Sequence, residues 1–580
     1  MTELQGVADI DHTANRHLPL RTRHTLSLWT VGVLQASVLV LTAGFQIYDT
    51  NFNALAETPG LLAGDHPYRD FFDWGVPLQA ILSATTQWLV GYRLIGEFAL
   101  QWAFIVAGVV MAMRISLRLS NSVLVSLLCM VPAIFMFPGA PTVHFSKIFI
   151  YPTAILIIWR YIEHPSFQRA AAMGAFAAVA FFFRHDHGVY VGVSVLFGML
   201  LAWLAHSGDR RPRMLVHEFA ACALAASILV IPWAIVVARS EGLLDYVQAR
   251  EYINSKWTVG QSVFLQPLHM NPFLLLTSRD ADRQGLAAWL PTKGAAQNWL
   301  MQTSVVVALI SVTIALIAVI KAVRRRQPLS IDTCRVLVVS AVVAIVEDRL
   351  FREAGYFILV APLVAALSAW LLSSSDTGLT RTVGVALFVL STIAIGGFSP
   401  VWANPTSLAK SLPDTVKSLI ASPPLDGLEP LSDALRSERT DWLQPGDWER
   451  VNSGRSKVLL RYMRECVARG DRILVSGQTP YQVSYYVERP LAGGHLYWHD
   501  KWRSDPVREQ QSLDLLQHQS VPFAFSTHDP VLDDLKAYPM IRAYFRANYA
   551  ELEGSFGHLL VDRRRTPVRT FGALGFPCFR

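Results

Sequence analysis

Apolar runs of roughly twenty residues, separated by short polar breaks, recur through the first 400 positions of the chain. A helix of about twenty apolar residues is long enough to cross the ~30 Å hydrocarbon core of a bilayer. Only helices and closed barrels satisfy every backbone polar group in lipid, and these runs lack the alternation of barrel strands. The pattern therefore predicts an α-helical polytopic membrane protein.

Basic residues between the runs set the predicted topology. The segments are placed at about 26–47, 94–113, 121–138, 145–162, 168–183, 188–205, 215–237, 298–320, 333–346, 354–372 and 381–398. Even-numbered segments of these eleven end in basic groups, which favour the cytoplasmic side. The N-terminal tail, 1–25, is then cytoplasmic, and residues 26–400 form the transmembrane module. Residues 48–93 and 238–296 form external loops, and Val76–Val90 lies along the membrane surface, because counting it as a span would scatter the basic groups.

The composition changes near Asn404, where Pro, Asp, Glu and Arg become frequent. Short buried strands are predicted at Arg472–Ser476, Pro522–Ser526 and His558–Val561. Helical stretches alternate with them near Lys457–Ala468, Pro506–Gln517 and Val531–Asn548. Residues 401–580 are therefore expected to form an extracytoplasmic α/β domain.

Composition supports the membrane assignment. The 580 residues are 52% hydrophobic and 16% charged, below the quarter or so that is usual in soluble domains. The net charge of +7 sits in groups beside apolar runs, which indicates topology signals rather than nucleic-acid binding. The five cysteines lack metal-ligand spacing. Cys466 and Cys578 could pair if their part of the chain faces an oxidising compartment.

Charged residues close to the bilayer are the candidate functional groups, because desolvating them without a partner is costly. Asp49 follows the first apolar run directly, where a lone carboxylate has little stabilising role. Asp65, Asp70 and Asp73 lie in an aromatic-rich stretch of the same loop. The alternative for all four carboxylates is that they cap helices or pair with neighbouring arginines such as Arg69.

Cations occur in three further external turns. Arg184 follows three phenylalanines and needs an anionic partner, which could be Asp186 or a lipid phosphate. Arg349 and Arg352 lie within Glu347–Glu353, where mutual salt bridges are the simpler explanation for part of the cluster. Lys147 begins the fourth segment, where a snorkelling lysine is the alternative.

These groups suit glycosyl transfer from a lipid-linked phosphate sugar. A carboxylate would take the proton of the acceptor hydroxyl. Cations would stabilise the departing phosphate as its negative charge develops. A long polyprenyl tail would explain why the enzyme is embedded in lipid.

Four short motifs resemble the GT-C superfamily of polytopic glycosyltransferases, in particular the branch with protein O-mannosyltransferases and the aminoarabinose transferase of lipid A. They are Tyr48-Asp49 after the first helix, Leu62-Ala63-Gly64 through Pro67-Tyr68-Arg69-Asp70-Phe71 to Pro77, Phe183-Arg184-His185-Asp186-His187-Gly188, and Arg352 to Tyr356 running into Ala361-Pro362. The overall plan of about eleven helices followed by an external domain is also similar.

The resemblance implies roles for individual residues. Asp49 would be the catalytic base, and Lys147, Arg184, Arg349 and Arg352 would bind the donor phosphate. Arg69, Asp70, His185 and Asp186 belong to the motifs and are expected to bind substrate. Thr50 stands where many members have a second acidic residue, so no metal and no cofactor are expected. Inversion at the anomeric carbon is the expected outcome.

The expected partners are a polyprenyl-phosphate sugar donor, a glycan, lipid or protein acceptor, and the bilayer of the plasma or inner membrane. Two other classes of function stay open. A lipid or glycan transporter would show internal repeats or charges near the midplane. A non-catalytic scaffold of envelope assembly would not need Asp49.

Overall fold

A computed structural model gives the architecture of the chain. It describes residues 20–42, 53–72, 75–137, 145–206, 212–240, 242–248, 272–278, 289–325, 327–350, 356–374, 378–399, 453–476, 481–495, 498, 504–526, 529–553, 555, 557–572 and 575–580. Most of the structure is helical.

The helices before residue 400 are α1 (Leu20–Leu41), α2 (Asn53–Ala63), α3 (Pro77–Val90), α4 (Leu94–Ser120), α5 (Val123–Ile134), α6 (Phe145–Glu163), α7 (Phe167–Phe183), α8 (His185–Ala205), α9 (Pro212–Ser240), α10 (Pro272–Thr277), α11 (Lys293–Arg324), α12 (Ile331–Leu350), α13 (Ala361–Ser374) and α14 (Gly378–Phe398). Each of the eleven predicted segments overlaps one of these helices. Among the described residues, six helices are long and apolar enough to cross a membrane: Thr22–Leu41, Ile95–Ser120, Phe145–Glu163, His185–Ala205, Arg213–Ser240 and Lys293–Arg324. This pattern is compatible with a helical membrane protein.

Local sequence explains the tight turns between neighbouring helices. Asn121 ends α4 in the left-handed conformation at φ 51°, which asparagine tolerates better than most residues. Ser122 then accepts a hydrogen bond from the Val125 backbone N–H and caps α5. The first helix begins at Leu20, six residues earlier than predicted, so the start of α1 lies inside the stretch assigned to the cytoplasmic tail.

Glu163 forms two ion pairs that join three helices at one end of the bundle. Its Oε1 atom lies 2.6 Å from Arg335 Nη2 and 3.2 Å from Arg118 Nη1. These residues belong to the last turns of α6 and α4 and to the first turns of α12. The predicted alternation places the same three helix ends on one face. We call this the Glu163 end, and the opposite one the Arg184 end.

Helix α3 runs across the Arg184 end instead of through the bundle. Before it, the Gly75 carbonyl accepts a hydrogen bond from His185 N at the start of α8. Further along, the Ser83 hydroxyl donates to Glu97 in the first turn of α4 at 3.0 Å. Both contacts lie at one end of the bundle, so α3 lies across that end.

The C-terminal part combines helices with a mixed sheet. Its helices are α15 (Ser453–Cys466), α16 (Tyr481–Val487), α17 (Pro506–His518), α18 (Val531–Asp534) and α19 (Pro539–Asn548). Its strands are β1 (Ile473–Ser476), β2 (Phe523–Ser526), β3 (Tyr549–Glu551), β4 (Leu559–Asp562), β5 (Arg569–Phe571) and β6 (Phe576–Cys578). The four-stranded sheet has the order β1-β2-β4-β3, with β1 and β2 parallel, and β5 pairs with β6.

Three predicted strands are confirmed as β1, β2 and β4. The stretch near Val531–Asn548 is helical as predicted but divided, because Pro539 lacks a backbone N–H and begins a new helix there. A disulfide joins Cys466 to Cys578, so the pairing that the sequence left open is present.

This C-terminal part packs onto the Arg184 end. The Tyr485 hydroxyl donates to Gln87 of α3, and the Ser484 hydroxyl donates to the carbonyl of Ala56 in α2. Leu55 and Phe98 belong to the same buried apolar cluster as the C-terminal core. The sheet and the loop after α2 therefore lie on one side of the bundle.

Candidate functional site

The turn between α7 and α8 consists of one extended residue, Arg184, with φ −168° and ψ 132°. The predicted polar turn is therefore shorter than expected, and His185, Asp186 and His187 lie in the first turn of α8. The Asp186 carboxylate sits at a helix N-terminus, where the helix dipole favours negative charge. Polar side chains at the start of a helix look like a loop in a hydropathy pattern, which explains the difference.

Arg184 and Asp186 form an ion pair. The Arg184 Nε atom lies 3.0 Å from Asp186 Oδ1, and both side chains remain partly exposed at 41% and 32%. The internal carboxylate that the sequence offered is therefore a partner of Arg184. A partly exposed guanidinium beside it still presents positive charge to the surface.

Lys147 is buried next to this pair. It lies in the first turn of α6 with 1% of its surface exposed, and its charge acts on Asp186. A snorkelling lysine would keep its ammonium group in water, so that alternative does not hold here. The structure thus brings Lys147, Arg184 and Asp186 together, and we call these residues the cation cluster.

Tyr151 and His187 complete the surroundings of the cluster and were not among the predicted site residues. Their side chains are almost fully buried, and Tyr151 Oη lies 2.8 Å from His187 Nδ1. The same nitrogen is 3.5 Å from Asp186 Oδ1. His187 Nε2 is buried without a hydrogen-bond partner among the described residues. Tyr151 lies one helical turn after Lys147, and that spacing was the available signal.

His185 faces an aromatic cluster instead. Its ring stacks on Phe181 with centroids 4.1 Å apart, and its Nε2 atom bonds the Tyr246 hydroxyl. Trp233 packs against both His185 and Tyr246 and donates a hydrogen bond to the Tyr68 hydroxyl. His185 therefore links the start of α8 to the loop after α2.

Arg69 and Asp70 pair with each other. Arg69 donates to Asp70 through Nε at 2.9 Å and Nη2 at 2.6 Å, and the His66 backbone N–H donates to Asp70 at 2.8 Å. Burial alone would raise the pKa of Asp70, but the hydrogen bonds from Arg69 and His66 outweigh it and lower the pKa. The same bond raises the pKa of the exposed Arg69. The local-pairing alternative fits these two residues.

Asp65 contacts a different part of the chain. Its Oδ1 atom pairs with Arg472 Nη2, just before β1, and both side chains are largely buried at 10% and 16% exposure. Phe72 N donates to the carbonyl of Gly494 at 2.9 Å nearby. Hydropathy and motifs give no signal for such a long-range pair.

The other predicted site residues lie outside the described part of the chain. Asp49, Asp73 and Arg352 are among the residues outside that part, and the side chain of Arg349 in α12 is outside it too. Among the described residues, no group of three or more His, Cys, Asp or Glu side chains could hold a metal ion.

Comparison with known proteins does not place the chain in a family. No protein-family model matches the chain, and no curated protein matches it.

Proposed function

We propose that the protein transfers a sugar from a polyprenyl-phosphate donor to a glycan, lipid or protein acceptor at the outer face of the plasma or inner membrane. The observation that carries this proposal is the cation cluster at the Arg184 end of an apolar helical bundle. The C-terminal part packs on that same end through Ser484 and Tyr485, so an acceptor could be held between the two parts.

Lipid-borne phosphate is the ligand that explains the cluster best. Its two cations face one carboxylate, Asp186, so the cluster has a positive balance. A guanidinium and an ammonium group beside each other suit the oxygens of a phosphate ester. A preorganised positive charge would stabilise the phosphate as it leaves the sugar. Unpaired charge near hydrocarbon is costly, and one carboxylate, Asp186, balances only one of the two cations.

The disulfide and the docking contacts support an outward-facing Arg184 end. The Cys466–Cys578 bond favours an oxidising compartment for the C-terminal part. Since that part packs on the Arg184 end, this end would face outward and the Glu163 end the cytoplasm. The proposal also includes eleven crossings, a surface position for α3 and a cytoplasmic N-terminus.

Asp49 is the proposed base. It lies eight positions after Leu41, the last residue of α1. It would take the proton of the acceptor hydroxyl while the cluster and the arginines Arg349 and Arg352 hold the donor phosphate. A direct displacement of this kind inverts the anomeric carbon.

The test is a transfer assay in membranes supplied with polyprenyl-phosphate sugars. Asp49→Asn should lose transfer, and Asp332→Asn is the matched control, because Asp332 is an exposed carboxylate at the Glu163 end. Full activity of Asp49→Asn would remove Asp49 as the base. Absence of transfer by the parent protein from every donor supplied would favour a transporter or a scaffold instead.

A further inference from the structure

A cleft lies between helices of the bundle, away from the cation cluster. It has a cavity volume of about 80 Å³ and lies between α5, α11, α13 and α14. None of the described residues that line it is charged, and its polar side chains are serines, threonines and one cysteine. A headgroup would find no ionic partner there, so the cleft suits a hydrocarbon chain.

The rim of the cleft indicates what surrounds it. Thr392 on α14 is an exposed rim residue. Next to it on the same helix, Val385 and Val389 are 46% and 47% exposed, and Leu128 on α5 is 52% exposed. Exposed apolar side chains on apolar helices are typical of a surface that faces lipid. The cleft would therefore be filled from the bilayer.

Two hydroxyl groups in the cleft indicate that its occupant carries a hydrogen-bond acceptor. Thr303 and Ser391 line it, and their hydroxyl oxygens are buried without a hydrogen-bond partner among the described residues. Elsewhere on the same helices, Ser311 and Thr392 donate to the carbonyl four residues earlier. A buried hydroxyl without a partner costs stability, and an ester carbonyl oxygen would accept from it.

We propose that this cleft binds one acyl chain of a bilayer glycerophospholipid, with an ester carbonyl near Thr303 and Ser391. A prenyl chain has no such acceptor. No described residue of α6, α7 or α8, which carry the cation cluster, lines the cleft. The proposal therefore does not depend on the proposed glycosyl transfer, and either can fail alone.

The test uses the full chain in vesicles that contain a phosphatidylethanolamine with a diazirine on its acyl chain. After illumination, mass spectrometry should locate the label on peptides of α5 and α14. An excess of unlabelled phosphatidylethanolamine should suppress this labelling. Undiminished labelling in that excess, or label at the cleft only from a diazirine-bearing polyprenyl phosphate, would overturn the proposal.

Two variants test the site itself. Ser391→Phe fills the cleft and should lower the labelling about tenfold, as expected when two buried methylene groups lose their contacts. Val389→Phe, at an exposed position of the same helix, is the matched control and should label like the parent. If Ser391→Phe does not fold, Thr303→Val with Ser391→Ala keeps the volume and should lower labelling severalfold. Equal labelling of the folded variant and its control would refute the site.

Discussion

Arg472 Nη2 contacts the Asp65 carboxylate across 407 positions of sequence, and this pair joins the C-terminal sheet to the loop after α2. Arg472 also donates to the carbonyl of Leu491 at 3.3 Å. The same short loop holds Tyr68, Arg69 and Asp70, so the pair fixes the C-terminal part against a segment that carries predicted site residues.

Removing one partner of this pair should destabilise the docked arrangement. Arg472→Ala leaves the Asp65 carboxylate largely buried and unpaired, which costs roughly 3 kcal/mol for such a pair. Thermal unfolding of the purified protein should start at a lower temperature. Arg461→Ala is the control, because its pair with Glu465 is exposed and contributes about 0.5 kcal/mol or less. Equal melting of the two variants would contradict the docking role of Arg472.

Arg184→Ala should impair the reaction rather than the fold. Loss of one positive group that faces a leaving phosphate lowers the rate about a hundredfold. Arg184→Lys should retain part of the activity, since it keeps the charge but loses the planar geometry. Transfer rates against donor concentration measure the effect, with Arg114→Ala, exposed and near the Glu163 end, as the control. If Arg184→Ala transfers sugar at the parent rate, the cluster does not bind the donor.

Tyr151→Phe should lower stability. The substitution removes the hydroxyl that pairs with His187 Nδ1 and leaves a buried ring nitrogen without that partner, at a cost of about 1–3 kcal/mol. Thermal denaturation of parent and variant measures the loss. An unchanged melting temperature would show that the hydrogen bond contributes nothing.

Reduction of the disulfide should destabilise the C-terminal part. The bond closes a loop with a sequence separation of 112, for which chain entropy predicts roughly 4–5 kcal/mol. Limited proteolysis should cut the C-terminal part faster after reduction or in Cys466→Ser. Peptide mapping without reduction should find Cys466 linked to Cys578, and Cys129, Cys222 and Cys334 as thiols. Two free thiols at 466 and 578 in protein from cells would contradict an oxidising location.

Acid should weaken the loop after α2 through Asp70. Its pKa is lowered in the folded protein, so the carboxylate stabilises the fold above its ordinary pKa and this contribution is lost as pH falls through the folded value. Asp70→Asn removes that dependence. The melting temperatures of parent and variant should therefore converge at acid pH, and a constant difference at every pH would argue against the Arg69–Asp70 pair.

Hydropathy predicted the helical bundle and the buried strands well, because both depend on local apolar patterns. The overlap of α6 with its predicted span and of β1 with Arg472–Ser476 illustrates this. Start positions such as Leu20 were less accurate, since polar residues at a helix end carry no apolar signal. The first turn of α8 was missed for the same reason, because its residues are polar.

Tertiary contacts account for what the sequence did not reveal. The sequence around Tyr151 resembles that of any apolar helix, and the hydrogen bond between Tyr151 and His187 is visible only in the structure. The Asp65–Arg472 pair joins two segments whose sequences are unrelated. Conversely, Lys147, Arg184 and Asp186 were predicted from their position beside apolar runs, and the structure brings these three together.

Mass spectrometry of envelope glycans, from cells with and without the protein, tests the central claim most directly. Cells that lack the chain should lose one sugar from a glycan, lipid or protein of the envelope and accumulate the matching polyprenyl-phosphate sugar. The parent gene should restore the sugar, and Asp49→Asn should not. Identical envelope glycans and carrier lipids in both cells would contradict the account.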